Sequence, residues 1–239
     1  MPGKDTAATM LAQQLLFAVK TGENTVALQE QLAHLPLGQL QQQLFTDSLK
    51  TAFWLNMYNA YTQIFLQEDT AAYARRNKFF SAKKIVVEGI RLSLDDIEHG
   101  LLRRSKNKWL MGYIGKLWPG KTEKRWRVQH ADYRIHFALN CGANSCPPIA
   151  FYHPEHIDRL LQLAMTGFLK EHCHVDTTSN VVWVPKIMSW FRGDFGGKAG
   201  IRQLLILQGI LPPGAKPRLR FSPYNWALAP GAFASNIPQ

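Results

Sequence analysis

The sequence predicts one α+β domain: a small, mostly antiparallel sheet packed against several helices, with a helical segment at the N-terminus. Three observations lead there. Helical and strand-like segments are intermixed without the strict βαβ alternation of a doubly wound sheet. No glycine-rich phosphate cradle follows any strand-like run, which disfavours a nucleotide-binding fold. A chain of 239 residues, 46% of them hydrophobic, can bury one sizeable core. We divide it into a helical segment over 1–45, packed on a main domain over 46–239.

From about Thr6 to Phe45 the pattern is helical, with Leu11, Leu15, Leu16 and Val19 on one face and Pro36 as punctuation. A longer helix is expected from about Ser48 to Leu66, with Thr46 or Asp47 as its N-cap. Ile85–Val87 and Arg91-Leu92 read as short strands around Glu88-Gly89. Ser93 and Asp96 have capping-box spacing and open a helix carrying Asp95, Glu98 and His99. Arg134–Asn140 reads as a strand running into a loop over Cys141–Pro148. A helix over about 154–171 begins with proline in its first turn. Cys173–Asp176 and Val181–Val184 suggest a hairpin, and 185–195 and 201–207 short helices. Leu219–Phe221 and Trp226–Leu228 read as closing strands.

The net charge is +11, concentrated in one stretch: residues 75–127 hold fifteen Lys or Arg against five Asp or Glu. With Trp109, Trp118 and Trp126 interleaved, this stretch is a possible contact for an anionic partner such as nucleic acid. No nucleic-acid-binding motif accompanies it, so a solvated basic face explains it better. The longest apolar run is far below the ~20 residues that span a bilayer, and no transmembrane segment is expected. The N-terminus lacks the features of a secretory signal, which places the protein in the cytoplasm with Cys141, Cys146 and Cys173 as reduced thiols.

The segment His136-Phe137-Ala138-Leu139-Asn140-Cys141-Gly142-Ala143-Asn144-Ser145-Cys146-Pro147-Pro148 carries the densest chemistry. On a regular strand His136 and Cys141 face opposite ways, so a bend at Gly142 must return Cys141 or Cys146 towards the imidazole. A thiol beside an imidazole is the minimal unit of cysteine nucleophilic catalysis. Loop amides at Gly142 and Ala143 are available for an oxyanion. Asp194, Glu98, Asn140 and Asn56 all remain open as the group that orients the ring. The plainer alternative is a buried thiol acting as a small hydrophobe beside a core histidine.

Asn56, Asn59 and Gln63 recur at helical spacing in an aromatic segment, either tying loop backbones to the core or lining the same cleft to position a substrate. Lys186, Trp190 and Asp194 fall four apart, as a salt-bridged surface or a polar pocket wall. Asn140, Lys186 and Trp190 join Asn56 and Asn59 as candidate substrate contacts. Cys141-x-x-x-x-Cys146 with His172-Cys173-His174 raises zinc, but three consecutive donors at a helix end diverge, and no metal ligand set is assigned. The four-residue spacing is a weak match to thioredoxin-like motifs.

Together these segments resemble the family catalogued as Domain of Unknown Function 547. The resemblance rests on Ala52-Phe53-Trp54-Leu55-Asn56-Met57-Tyr58-Asn59-Ala60, on Ser93-Leu94-Asp95-Asp96-Ile97-Glu98-His99-Gly100, and on the segment from His136 to Pro148. Lys186 to Phe195 and Tyr224-Asn225-Trp226 add to it. Members often carry Ser where Pro185 stands, and Asp and Asn where Asn225 and Ala229 stand. The resemblance implies an uncharacterised function, compatible with thiol chemistry and with scaffolding. We favour a cysteine-dependent hydrolase or acyltransferase acting on a small-molecule or peptide substrate, with Cys141 as nucleophile (Cys146 the alternate), His136 as base and Asp194 or Glu98 near the ring. No cofactor is implied. A binding or scaffold module with a basic surface, and a zinc-stabilised domain, are the alternatives.

Overall fold

The architecture is organised by one buried helix. In a computed structural model describing residues 4–235, α4 (Asp47–Glu68) is buried continuously from Leu49 to Leu66. A helix buried on every side belongs inside a core, and α4 is covered by α1 (Ala7–Thr21), on which α2 (Val26–Ala33) and α3 (Gln39–Gln43) pack, and by the chain that follows. Its N-cap is Thr46, whose hydroxyl accepts from the Leu49 amide at 3.2 Å. The buried Glu88 carboxylate accepts from the amides of Gly38 and Leu40, which ties the N-terminal helices to the main domain.

The chain is α+β, with helices dominant and two small sheets. α5 (Arg76–Ser81) leads into an antiparallel hairpin, β1 (Ile85–Val87) with β2 (Ile90–Leu92). Ser93 and Asp96 form the expected capping box, amide to carboxylate at 2.9 Å and amide to hydroxyl at 3.1 Å. What it opens is a π-type helix over Asp96–Leu102, with bonds reaching five residues back from Arg103 to Glu98 and from Ser105 to Gly100. Such wide turns recur at functional sites. α6 (Lys121–Trp126) is short. α7 (Ile157–His172), entered through a 3₁₀ turn at Pro154, leads to a three-stranded sheet. There β3 (His174–Asp176) and β4 (Val181–Val184) are antiparallel, and β4 runs parallel to β5 (Arg218–Phe221). Between them lie α8 (Ile187–Trp190) and α9 (Gly197–Leu207).

Two expectations are corrected. Arg134–Asn140 is not a strand: Tyr133–Phe137 is a 3₁₀ turn, started by Asp132 accepting from the Arg134 amide at 2.9 Å. The backbone beyond it is held by Asn59, which takes the polar groups a sheet neighbour would have used. His136 and Cys141 are therefore not set on opposite faces of a strand. Nor do Trp226–Leu228 form a strand, since Leu228 makes only an isolated bridge with Ala143.

The core has two clusters. The larger surrounds α4 and reaches Leu139, with Cys141 and Trp226 packed against it. The smaller joins Phe137 to α7, α8, α9 and the three-stranded sheet, with Trp190, Phe191 and Tyr224 on its border. No helix among the described residues is long and apolar enough to cross a membrane.

Candidate functional site

A cavity of about 420 Å³ opens where the two clusters meet. His136, Cys141, Glu98 and Trp190 all line it, together with Tyr58, Tyr224 and Trp226.

His136 is buried, its ring stacked on Phe191 with centroids 4.0 Å apart and planes 11° from parallel. Its Nε2 lies 2.9 Å from Asp194 Oδ2, and the same oxygen accepts from Arg103 Nε at 2.7 Å. A carboxylate facing Nε2 places the proton there and leaves the lone pair on Nδ1, which has no hydrogen-bond partner among the described residues. Burial lowers the imidazole pKa and outweighs the upward pull of Asp194, so the ring is neutral at pH 7. Asp194 runs the other way. Burial alone would raise its pKa, but bonds to His136 and Arg103 hold it below the usual carboxylate range.

Of the orienting groups left open, Asp194 touches the ring. Glu98 lines the cavity and accepts from Tyr58 Oη at 3.3 Å. Asp194 does not share a helical face with Lys186 and Trp190, because α8 ends at Trp190. Its position also depends on Gly112, at φ +85°, where an added Cβ would sit 2.2 Å from Asp194 Oδ1.

The thiols come together rather than meeting the imidazole. Cys141 Sγ and Cys146 Sγ are 2.6 Å apart, and Tyr224 Oη is 3.2 Å from each. The Cys141 amide donates to Cys146 Sγ at 3.0 Å. No hydrogen bond among the described residues joins either sulfur to His136, so the direct contact expected from a bend at Gly142 is absent. Gly142 does turn the chain, at φ +85°, with Leu66 Cδ1 2.5 Å from where a Cβ would stand. Its amide is taken by Asn140 Oδ1 at 2.8 Å and that of Ala143 is directed at the sulfurs, so neither is free for an oxyanion.

The sulfurs differ in acidity. For Cys146 burial acts upward, but bonds from Cys141, Tyr224 and backbone amides outweigh it and bring the pKa down to about 7. The Cys141 thiol, which gives its proton to Cys146 and is buried, is pushed well up. As pH rises through about 7 the pair takes up one negative charge, centred on Cys146, while Cys141 faces the cavity.

The amides expected to contact substrate face backbone instead. Asn56 donates to the Tyr152 carbonyl at 2.8 Å and accepts from its amide at 3.0 Å. Asn59 donates to the Ala138 carbonyl at 3.0 Å and accepts from the Asn140 amide at 2.9 Å. Asn140 donates to the Pro147 carbonyl at 2.8 Å. None of the three lines the cavity, and neither does Lys186. Their geometry is that of a splint: α4 grips both ends of the thiol loop through its own side chains.

Arg103 and Tyr224 escaped the sequence reading. Arg103 lay inside a basic run read as a solvated face, yet its side chain is 1% exposed. Tyr224 sat in the last motif of the family resemblance, the one signal that pointed to it. Cys173 packs against the smaller cluster and Cys141 against the larger, and among the described residues no three His, Cys, Asp or Glu side chains converge to hold a metal ion.

The family described as "Protein of unknown function, DUF547" matches residues 42–169, more than half of the chain. The chain belongs to the DUF547 family. The matched span includes α4, the π-type helix, the His136 turn and the thiol loop, whereas Asp194 and Tyr224 lie beyond it. No match was found among curated proteins or among solved structures.

Proposed function

We propose that this DUF547 protein is a cysteine-dependent acyl-transfer enzyme, a hydrolase or acyltransferase, working in the 420 Å³ cavity. One observation carries the reading: a neutral imidazole fixed by Asp194 through Nε2 shares a cavity wall with Cys141, whose partner Cys146 holds the pair's charge.

The chemistry follows from that arrangement. Cys141 passes its proton to the adjoining Cys146 sulfur and attacks the acyl carbon as thiolate. The leaving group departs with the proton now on Cys146, which regenerates the charge there. Tyr224 Oη, beside both sulfurs, is the hydroxyl placed to donate to the oxyanion. In the second half His136 Nδ1 takes a proton from water, or from an acceptor alcohol or amine, as that group attacks the thioester. The returning Cys141 sulfur recovers this proton by way of the cavity that it and His136 both line. His136 thus serves the incoming nucleophile, which explains why it need not touch the thiol. Asn56, Asn59 and Asn140 hold the loop, and Trp190 and Trp226 supply an apolar wall for the acyl group.

Incubation with p-nitrophenyl acetate and mass spectrometry tests this. Transient acetylation of Cys141 that is lost in Cys141→Ala and persists in His136→Ala is expected. Absence of any acylated protein would overturn the reading.

The sulfur contact favours a second reading, a thiol–disulfide couple. Cys146 thiolate attacks an external disulfide, and Cys141 then resolves the mixed disulfide, so that two small thiols are released and one protein disulfide forms. Oxidised glutathione distinguishes the two readings. A redox couple gives stoichiometric, dithiothreitol-reversible loss of both thiols, whereas an acyl-transfer enzyme turns over ester only while they are reduced.

A further inference from the structure

A second cavity, of about 640 Å³, lies on another part of the surface, where the end of α3, the start of α4 and the stretch after α6 come together. Lys50, Arg104, Lys124, Arg125 and Arg127 line it with His130, and no Asp or Glu does. None of those five cations forms an ion pair among the described residues, whereas His130 faces the Asp47 carboxylate at 3.2 Å.

Lys50 is the informative member. Its side chain is largely buried and its Nζ donates to the Arg127 carbonyl at 2.9 Å. Burial lowers its pKa, with Asp47 pulling weakly the other way. Asp47 is itself committed, since its oxygens accept from the Gln129 and His130 amides at 2.6 and 2.8 Å. The Lys50 ammonium, bonded to one carbonyl and drawn to Asp47, shares the cleft with four further guanidinium or ammonium groups, and like charges gathered in one concave site repel. A multiply charged anion relieves it, because converging cations in a concave site focus the field.

We infer that this cleft binds the phosphate chain of a small polyphosphorylated ligand. Guanidinium forks match phosphate oxygens, and the cleft is concave rather than a long stripe. The tryptophans that hinted at nucleic acid do not flank it: Trp126 is buried, Trp109 lines the thiol cavity and Trp118 is away from both. One exposed ring does stand at the edge, Phe45. A base stacked there would distinguish a nucleotide from a bare phosphate chain.

Isothermal titration calorimetry of the full chain at about 0.15 M salt tests the inference. The ligands are inorganic tripolyphosphate, a nucleoside triphosphate, sulfate, and a single-stranded RNA oligonucleotide. Saturable one-to-one binding of tripolyphosphate and of the nucleotide is expected, with sulfate much weaker. Arg104→Gln with Arg125→Gln, both exposed side chains, should weaken it by about tenfold or more at unchanged melting temperature and unchanged Cys146 alkylation. Should that pair destabilise the fold, Lys124→Gln with Arg125→Gln should give the same loss. Nucleotide binding tighter than tripolyphosphate, with the difference removed by Phe45→Ala, identifies a nucleotide, and equal affinities identify the phosphate chain alone. No saturable binding, equal affinity in folded variants, or binding of the RNA only would overturn the proposal.

Discussion

The two halves of the thiol cavity belong to different hydrophobic clusters and are held in different ways. On the larger cluster, the loop bearing Cys141 and Cys146 is fixed by neutral amides on α4, each bonded to backbone at both its donor and its acceptor end. On the smaller cluster, His136 is fixed by charge, through a carboxylate shared with a buried guanidinium. Neutral splints give position without a field and leave the sulfur pair's acidity to local donors. The charged mount sets both the orientation and the protonation state of the ring. Damage to the amide splints should therefore appear as stability, and damage to the charged mount as chemistry and stability together.

The sharpest break is at the sulfur itself. Cys141→Ala should lower ester turnover by roughly 10⁵-fold, while urea unfolding is little changed. Next comes Asp194→Asn, which frees His136 to adopt the wrong tautomer and should cost about 10³–10⁴-fold in kcat. It also strands Arg103 without a carboxylate, and denaturant unfolding should show a loss of about 3–5 kcal/mol. On the amide side, Asn59→Ala should destabilise by about 1–3 kcal/mol, since it leaves the Ala138 carbonyl and Asn140 amide unpaired. Its effect on kcat should stay far below that of Asp194→Asn, and equal effects would erase the distinction between the halves.

A smaller effect concerns pH. The Cys146 pKa is lowered to about 7, so its thiolate is present above that pH and is protonated as pH falls through it. Iodoacetamide labelling of Cys146 should drop about tenfold per pH unit below 7, and Tyr224→Phe should move the midpoint upward. Weakest of all, Thr46→Ala removes the α4 N-cap and should cost about 1 kcal/mol in urea unfolding. It leaves labelling unchanged, which serves as the control for loss of α4 stability alone.

Elements were legible in the sequence where local chemistry decides them. The caps at Thr46 and Ser93, the Glu88-Gly89 hairpin and the long apolar helix all depend on residues a few positions apart. The His136 turn was misread because its run of Ile, Phe and Leu has strand composition, while its backbone partners come from Asn59, about eighty residues earlier. His136, Cys141, Glu98 and Trp190 were all named from sequence, and they do share one cavity. The choice of Asp194 over Glu98 was not legible, because a contact spanning 58 residues leaves no spacing signal. Arg103 illustrates the same limit in reverse. Composition counts a charge without knowing whether water reaches it, and this guanidinium is stacked over Phe191 at 4.5 Å instead.

Chain order gives the charged mount one more consequence. During translation the sulfurs leave the ribosome well before their helpers: Asp194 follows His136 by 58 residues, and Tyr224 follows Cys141 by 83. A nascent chain that has just exposed its thiols thus lacks the groups that set the imidazole's proton and lend the sulfurs a hydroxyl. Both walls of the cavity therefore come together only once the chain as far as Tyr224 has been made.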